Sequence, residues 1–288
     1  MQKTALALRR QGRQIGFVPT MGFLHEGHLS LVEIARRDAD VVVLSIFVNP
    51  RQFGPNDDLA KYPRDLKRDS ELCAQKGVDI IFNPSVDDMY PVLAKASSSY
   101  FNVFIDEKDL SRQLCGASRP GHFSGVLTVV AKLFNLVLPD MAVFGQKDAQ
   151  QAILIQRMIH DLDFPVRMIV APIVRENDGL AVSSRNVCLS PDERRAALCL
   201  SAALRLARNI YRSNERDCGV IKSAMSSLVK KVKLARIDYI EIVGTHNLRP
   251  IKKIGSDDVL IALAVHIGNT RLIDNLPLPG DQLANLSE

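Results

Sequence analysis

Apolar and polar positions switch between two periods along the chain, and the switches mark the elements. Residues 41–48 form an unbroken run rich in β-branched side chains, the pattern of a strand covered on both faces. Residues 16–19 and 78–83 read as neighbouring strands, with amphipathic helices at 29–37 and 62–76. Residues 5–13 carry the end of a helix that stops at Gly12. This alternation predicts an α/β fold with a doubly wound, Rossmann-like parallel sheet. A strand at 100–105, a helix at 126–138, a strand at 141–144, a helix at 150–162 and a strand at 166–174 follow. From Pro191 the pattern changes: helices 191–212 and 220–232, then strands 238–243 and 259–266, predict a smaller C-terminal α+β domain. The boundary is expected between Val174 and Arg185, dividing the chain into residues 1–174 and 175–288. No internal repeat or low-complexity segment interrupts this reading.

Composition narrows the class without naming a function. At 288 residues, 47% hydrophobic and 24% charged, the chain reads as a soluble globular protein of one large or two modest domains. No apolar run is long enough to cross a bilayer, and Met1 to Ala5 carries no signal core before Arg9 and Arg10. A cytoplasmic protein is expected, in preference to one with a weak basic transit segment. Five scattered cysteines without a CxxC pair predict free thiols, against a disulfide framework or a structural zinc site. A net charge of +5 suits an anionic ligand. The basic residues are dispersed and Trp is absent, so nucleic acid is a secondary expectation.

The polar chemistry collects where apolar strands end. Residues 17–28 run from a strand through Pro19 and Gly22 into His25-Glu26-Gly27-His28 and a helix. A strand feeding a loop that opens a helix aims backbone N–H groups at an anion. Gly27 leaves room for something flat or charged to come close. A zincin places its histidines four apart, whereas here they are three apart, which disfavours a metalloprotease. Gln52 follows the second strand, in a Pro/Gly-rich loop at 49–55. Arg119 and His122 lie in a second glycine-rich loop at 114–125. Lys147 and Asp148 follow the strand ending at Phe144, and Ser183-Ser184-Arg185 follows the strand at 166–174. Cations, hydroxyls and imidazoles in combination are what a triphosphate needs as charge builds on its leaving group. Taken singly, Lys147-Asp148 also reads as a surface pair, Ser183 to Asn186 as a cap and turn, and Arg119 to Gly121 as a tight turn. The missing GxxxxGK[ST] excludes a P-loop NTPase, and the missing GxGxxG weakens a dinucleotide site.

An ordered set of motifs resembles the pantoate–β-alanine ligase (pantothenate synthetase) family of the HxGH nucleotidyltransferase superfamily. The set runs through Pro19-Thr20-Met21-Gly22 with His25-Glu26-Gly27-His28, then Phe47-Val48-Asn49-Pro50 with Gln52-Phe53. It continues through Arg119 to Phe123, Gly145-Gln146-Lys147-Asp148 with Gln151, Asp178 to Leu180, Ser183 to Asn186, and Thr270 to Asn275. The resemblance implies a two-step ligation through pantoyl adenylate, with ATP and Mg2+, releasing pyrophosphate and AMP. It implies that Met21, Gly22, Phe23, Leu24, His25, Glu26, Gly27 and His28 cradle ATP, with His28 as proton donor and imidazolium character on both histidines. Gly145, Gln146, Lys147 and Asp148 would also hold the nucleotide, Lys147 acting on phosphate and Asp148 facing magnesium or ribose. Val174 would touch adenine, and Val182, Ser183, Ser184 and Arg185 would form a mobile phosphate loop. Gln52 and Gln151 would hold pantoate, with Gln52 also near β-alanine, and no dedicated protein metal site is implied. The second domain would act as a lid that keeps water from the acyl adenylate. The family is usually a homodimer, with small-molecule partners and neither nucleic acid nor membrane. Departures are small: Val182 replaces a more usual Met or Leu, Ser124 a larger polar residue, and the stretch before Val18 is short. An adenylyltransferase of the same fold and a nucleotide- or RNA-binding module without catalysis are the alternatives. The first would need more basic side chains in place of Gln52 and Gln151.

Overall fold

A computed structural model describes residues 1–54, 59–91, 103–280 and 283. The helices, in chain order, are α1 (Gln2–Arg10), α2 (Glu26–Asp38), α3 (Leu66–Gln75), α4 (Val86–Met89) and α5 (Cys115–Ser118). They continue with α6 (His122–Val137), α7 (Ala149–Asp161), α8 (Pro191–Arg212) and α9 (Cys218–Lys230). The first five strands are β1 (Ile15–Thr20), β2 (Val41–Ile46), β3 (Ile80–Phe82), β4 (Met141–Gly145) and β5 (Arg167–Ala171). They form one parallel sheet in the order β3-β2-β1-β4-β5. Side-chain alternation splits their apolar residues between two layers. Phe17, Val43, Phe144 and Met168 join α1, α6 and α7 on one face, while Val18, Leu44 and Val143 join α2 and α3 on the other. The expected doubly wound sheet is therefore present. Its order reverses between β1 and β4, and ligands of such sheets bind at that switch point, outside the carboxyl ends of the strands.

The last three strands, β6 (Ala235–Gly244), β7 (Val259–Ile267) and β8 (Thr270–Leu278), form a separate antiparallel sheet. One face packs on α8 and α9 through Ile242, Ile261, Leu263 and Val265. The opposite face contributes Val243, Leu260 and Ala262 to the core that holds Phe17 and Phe144. The two sheets thus share apolar contacts rather than meeting only through a linker.

Several elements differ from the sequence expectation. The helix expected from Tyr62 begins at Leu66, where the Asp65 side chain caps it by accepting from the Arg68 N–H at 3.0 Å. The glycine-rich loop expected at 114–125 is largely helical, and Gly121, at φ +79°, is the left-handed residue that starts α6 at His122. β8 escapes the pattern because Arg271, Asp274, Asn275 and Pro277 break its alternation; the proline is tolerated because β8 is an edge strand. Of the strand expected at 100–105, residues 103–105 are irregular and the rest lies outside the described residues, as do Pro55 and the polar patch at 95–99. The cysteines are free thiols, and all but Cys188 are buried.

Gly125 sets how closely α6 approaches the loop after β2. A Cβ there would fall 2.5 Å from the Arg51 carbonyl carbon and 2.8 Å from the Gln52 nitrogen, both backbone atoms that cannot rotate away. Gly125→Ala should lower the unfolding free energy by about 1–3 kcal/mol, read from urea denaturation. An unchanged midpoint would show that the helix and loop separate freely.

Candidate active site

The loops after β1, β2, β4 and β5 wall one cavity of ≈ 240 Å³ at the carboxyl edge of the parallel sheet. His25 and His28 occupy its floor with their rings stacked, 4.0 Å between centroids and 22° between planes. What approaches Gly27 is the His25 ring itself: a Cβ there would lie 3.0 Å from His25 Cε1 and Nδ1. Nδ1 of each ring is buried and has no hydrogen-bond partner among the described residues. Burial and neighbouring charge oppose the expected imidazolium character in the protein alone. Burial, followed by Lys147 and opposed by Asp148, pushes His25 down to about 4. Burial, His25 and Lys147 hold His28 well below the ordinary imidazole range. Both rings are neutral at pH 7, so each offers one N–H and one lone pair.

Gln52 reaches the same cavity with its amide orientation fixed. The buried Asn49 donates to Gln52 Oε1 at 3.1 Å and to the Gly125 carbonyl at 3.1 Å. Asn49 Oδ1 in turn accepts from the Tyr90 hydroxyl at 2.8 Å and from the Arg51 N–H at 3.2 Å. The Gln52 NH2 faces Met21 Sδ at 3.2 Å and presents donors to the cavity. Arg119 and His122 hold the backbone of this loop. His122 Nδ1 lies 2.7 Å from the Gln52 carbonyl and donates to it, while its Nε2 lies 3.1 Å from an Arg119 nitrogen and accepts from it.

From the β4 side come Gly145, Lys147, Asp148 and Gln151, and from beyond β5 come Val174, Val182, Ser183, Ser184 and Arg185. Asn275 of β8 donates to the carbonyls of Gln146 and Lys147 at 2.9 and 3.0 Å, fixing the Lys147 turn from the other sheet. Beside it, Asp274 takes both Arg175 guanidinium nitrogens at 2.7 and 2.9 Å, and the Val182 N–H donates to the Val174 carbonyl at 3.0 Å. The segment 174–186 is thus tied down at its start. A cavity of ≈ 80 Å³ shares Arg119, His122, Lys147, Gln151 and Arg185 with the first and extends the site toward Arg271.

Five of the expected nucleotide residues lie outside the cavity wall: Gly22, Phe23, Leu24, Glu26 and Gln146. Leu24 is in the core, and the N–H groups of Phe23 and Leu24 both donate to the Asp69 carboxylate at 2.7 Å, which leaves them no anion to cradle. Glu26 is exposed, and buried Gln146 accepts from the Leu283 N–H at 3.2 Å. Asp69, Tyr90, Gln150 and Asn275 carry positioning bonds that motif spacing did not assign. Asp69 had one visible signal, a carboxylate sharing the buried side of α3 with Cys73 one turn on. Among the described residues no cluster of three or more His, Cys, Asp or Glu is placed to hold a metal, and no helix is long and apolar enough to cross a membrane.

The stacked pair makes acid stability a property of the site. His25 carries an ordinary value of 6.5 in the unfolded chain and about 4 in the native one. Between those values the unfolded chain binds more protons, so stability falls as pH drops through that window and is full above it. Urea midpoints should therefore be lower at about pH 4.5 than at neutrality, and His25→Ala should shrink the difference. An equal difference in that variant would place the acid sensitivity elsewhere.

Comparison with known proteins converges on one family. A family model described as pantoate-beta-alanine ligase matches residues 1–277. The pantothenate synthetase of Moorella thermoacetica is 54% identical over 272 residues, covering 94% of this chain and 93% of that protein. That of Thermotoga petrophila is 54% identical over 275 residues, covering 96% and 95%. Among solved structures, pantothenate synthetase from Thermus thermophilus superposes with a TM-score of 0.86 at 44% identity, covering 94% of this chain and 96% of that one. Pantoate-beta-alanine ligase from Francisella tularensis, solved in complex with beta-gamma ATP and beta-alanine, gives 0.74 at 36% identity, covering 95% and 94%.

Proposed function

The chain belongs to the pantoate–β-alanine ligase family and is a ligase of pantothenate biosynthesis, and we propose that ATP drives its reaction through a pantoyl-adenylate intermediate. In the first step a pantoate carboxylate oxygen attacks the α-phosphorus of ATP and the bond to pyrophosphate breaks. In the second, the free amine of β-alanine attacks the acyl carbon, AMP leaves with the acyl oxygen's bonding pair, and the amine proton is lost as the amide forms. The observation that carries this reading is one cavity holding two neutral stacked imidazoles, a lysine and a pre-oriented carboxamide. The Francisella relative's complex supports both small molecules as ligands of this site.

Lys147, Arg185 and the hydroxyls of Ser183 and Ser184 would take the phosphates, and Val174 and Val182 the adenine. His25 and His28 would donate ring N–H bonds to the phosphate oxygens. A bound polyanion would oppose the effect of Lys147 and raise both rings toward protonation, which equips His28 as proton donor to the departing pyrophosphate. Gln52 and Gln151 would hold pantoate through uncharged donors, a choice that favours a hydroxy acid over a phosphorylated substrate and so opposes the adenylyltransferase reading. Mg2+ would screen the phosphates. Asp148, the carboxylate in the cavity wall, fits an ion held mainly by the nucleotide and a single protein carboxylate. Residues 175–288 would cover the site as a lid that opens through its cavity-lining loop rather than by a swing of the whole sheet, and a cytoplasmic homodimer is the assembly that the family implies.

Purified protein mixed with ATP, Mg2+ and each acid in turn tests the order of events. Pyrophosphate should appear with pantoate alone, and AMP only when β-alanine is added. Pyrophosphate release indifferent to pantoate would sink the assignment. His28→Ala should lose about 10²–10³-fold in kcat for pyrophosphate release while melting as the wild type does. Near-normal turnover would remove His28 from its role.

A further inference from the structure

We infer that Asp69, on α3 and outside every loop that reaches the cavity, is a positioning residue for the adenylation chemistry, acting as a clamp on the turn that presents His25 and His28. Its carboxylate is 1% exposed and accepts two backbone N–H bonds, from Phe23 and Leu24, both at 2.7 Å. The turn it grips is unfavourable on its own, because Phe23, a residue with a bulky side chain, follows Gly22 (φ +81°) in a left-handed conformation at φ +50°. Asp69 also closes over the turn sterically: a Cβ on Gly22 would lie 3.0 Å from Asp69 Oδ2 and 2.9 Å from Ile46 Cγ2. Arg68 adds an outer strap, with its guanidinium 5.3 Å from the Phe23 ring centre and 3.7 Å from Asp69 Oδ1. Leu24, locked between these bonds and the core, immediately precedes His25, which caps α2.

A buried carboxylate needs compensation, and here two backbone donors supply most of it. The same two donors would otherwise be orphaned beneath the histidine pair. The clamp therefore fixes where α2 starts, and with it the stacked rings whose spacing the active site uses. Gln52 and Gln151 stand on other elements, so releasing the clamp should change what happens to ATP and spare the recognition of pantoate. This assignment rests on the proposed role of the histidines, and one arm of its test is independent of that role.

Asp69→Ala should lower kcat for pantoate-dependent pyrophosphate release about 10²-fold, as expected for sub-ångström misplacement, with KM for pantoate near wild type. Asp69→Asn keeps one acceptor and should recover part of the rate. Exposed Glu71 on the same helix provides the control, and Glu71→Ala should leave kcat unchanged. Independently of activity, the His25 and His28 ring signals in carbon–proton spectra should move in both Asp69 variants and stay in place in Glu71→Ala. A folded Asp69 variant with wild-type kcat and unmoved ring signals overturns the clamp. So does a parallel rise in KM for pantoate, which would mean general damage. If Asp69→Ala does not fold, the Asp69→Asn spectra and kcat decide alone. Failure of the wild type to release pyrophosphate with pantoate would strike the proposed reaction, while the ring signals would still decide the clamp.

Discussion

Two buried imidazoles stacked 4.0 Å apart beside a lysine oppose charge on one another, and the rest of the site depends on how they are held together. Burial removes the water that would support protonation, and Lys147 adds repulsion. The outcome is a site whose positive charge sits on Lys147, Arg119 and Arg185, with the histidines as neutral groups available to a ligand's oxygens. A polyanionic nucleotide entering such a site meets oriented donors rather than a hydrated cluster of cations. The cost is buried ring nitrogens without partners among the described residues, tolerated where a ligand supplies the missing bonds.

The scaffolding around that pair follows one habit. Buried side-chain amides hold several backbone groups of the functional loops, alongside Arg119 and His122 on the Gln52 carbonyl. Asn49 grips the Gln52 turn against α6, Gln150 takes the carbonyls of Leu110 and Gln113 at 2.8 and 2.7 Å, and Asn275 takes those of Gln146 and Lys147. Each such amide donates twice, and Asn49 and Gln150 also accept, without adding charge to a cavity already rich in cations. Asp69 does the same work with a negative charge. It faces away from the cavity, where its negative charge meets peptide N–H groups and the Arg68 guanidinium.

The parallel sheet was legible because its strands are covered on both faces and read as apolar runs, and because helices of ordinary amphipathicity separate them. The grouping of His25, His28, Gln52, Lys147 and Asp148 was legible for a related reason, since sheets of this kind bring their loops to one edge, whereas Gln151 came only with the family resemblance. Which atoms of the 21–28 segment face the cavity was not legible. That depends on Asp69, more than forty residues on, claiming the Phe23 and Leu24 amides. The charge state of the histidines was hidden too, because composition says nothing about desolvation or about which cation ends up next to which ring. β8 was lost for a local reason: its polar residues serve the site and so break the alternation that would reveal a strand.

That last strand constrains what closure of the site can mean. A rigid swing of the whole antiparallel sheet would pull Leu260, Ala262 and Val243 out of the core they share with Phe144 and expose apolar surface at about 25 cal/mol per Å². It would also strip Asn275 from the Lys147 turn and Arg271 from Cys115, whose sulfur lies 3.5 Å away. The same movement that opened the cavity would thus dismantle one of its walls. The segment 174–186 is under a different constraint. It is anchored at its ends by Arg175 on Asp274 and by Asn186 on Glu176 and the Ala181 carbonyl, while Val182 to Arg185 between them line the cavity. Movement confined to residues 183–185 would cost less buried contact than a swing of the sheet, and would leave the histidine pair and its supports where the fold has put them.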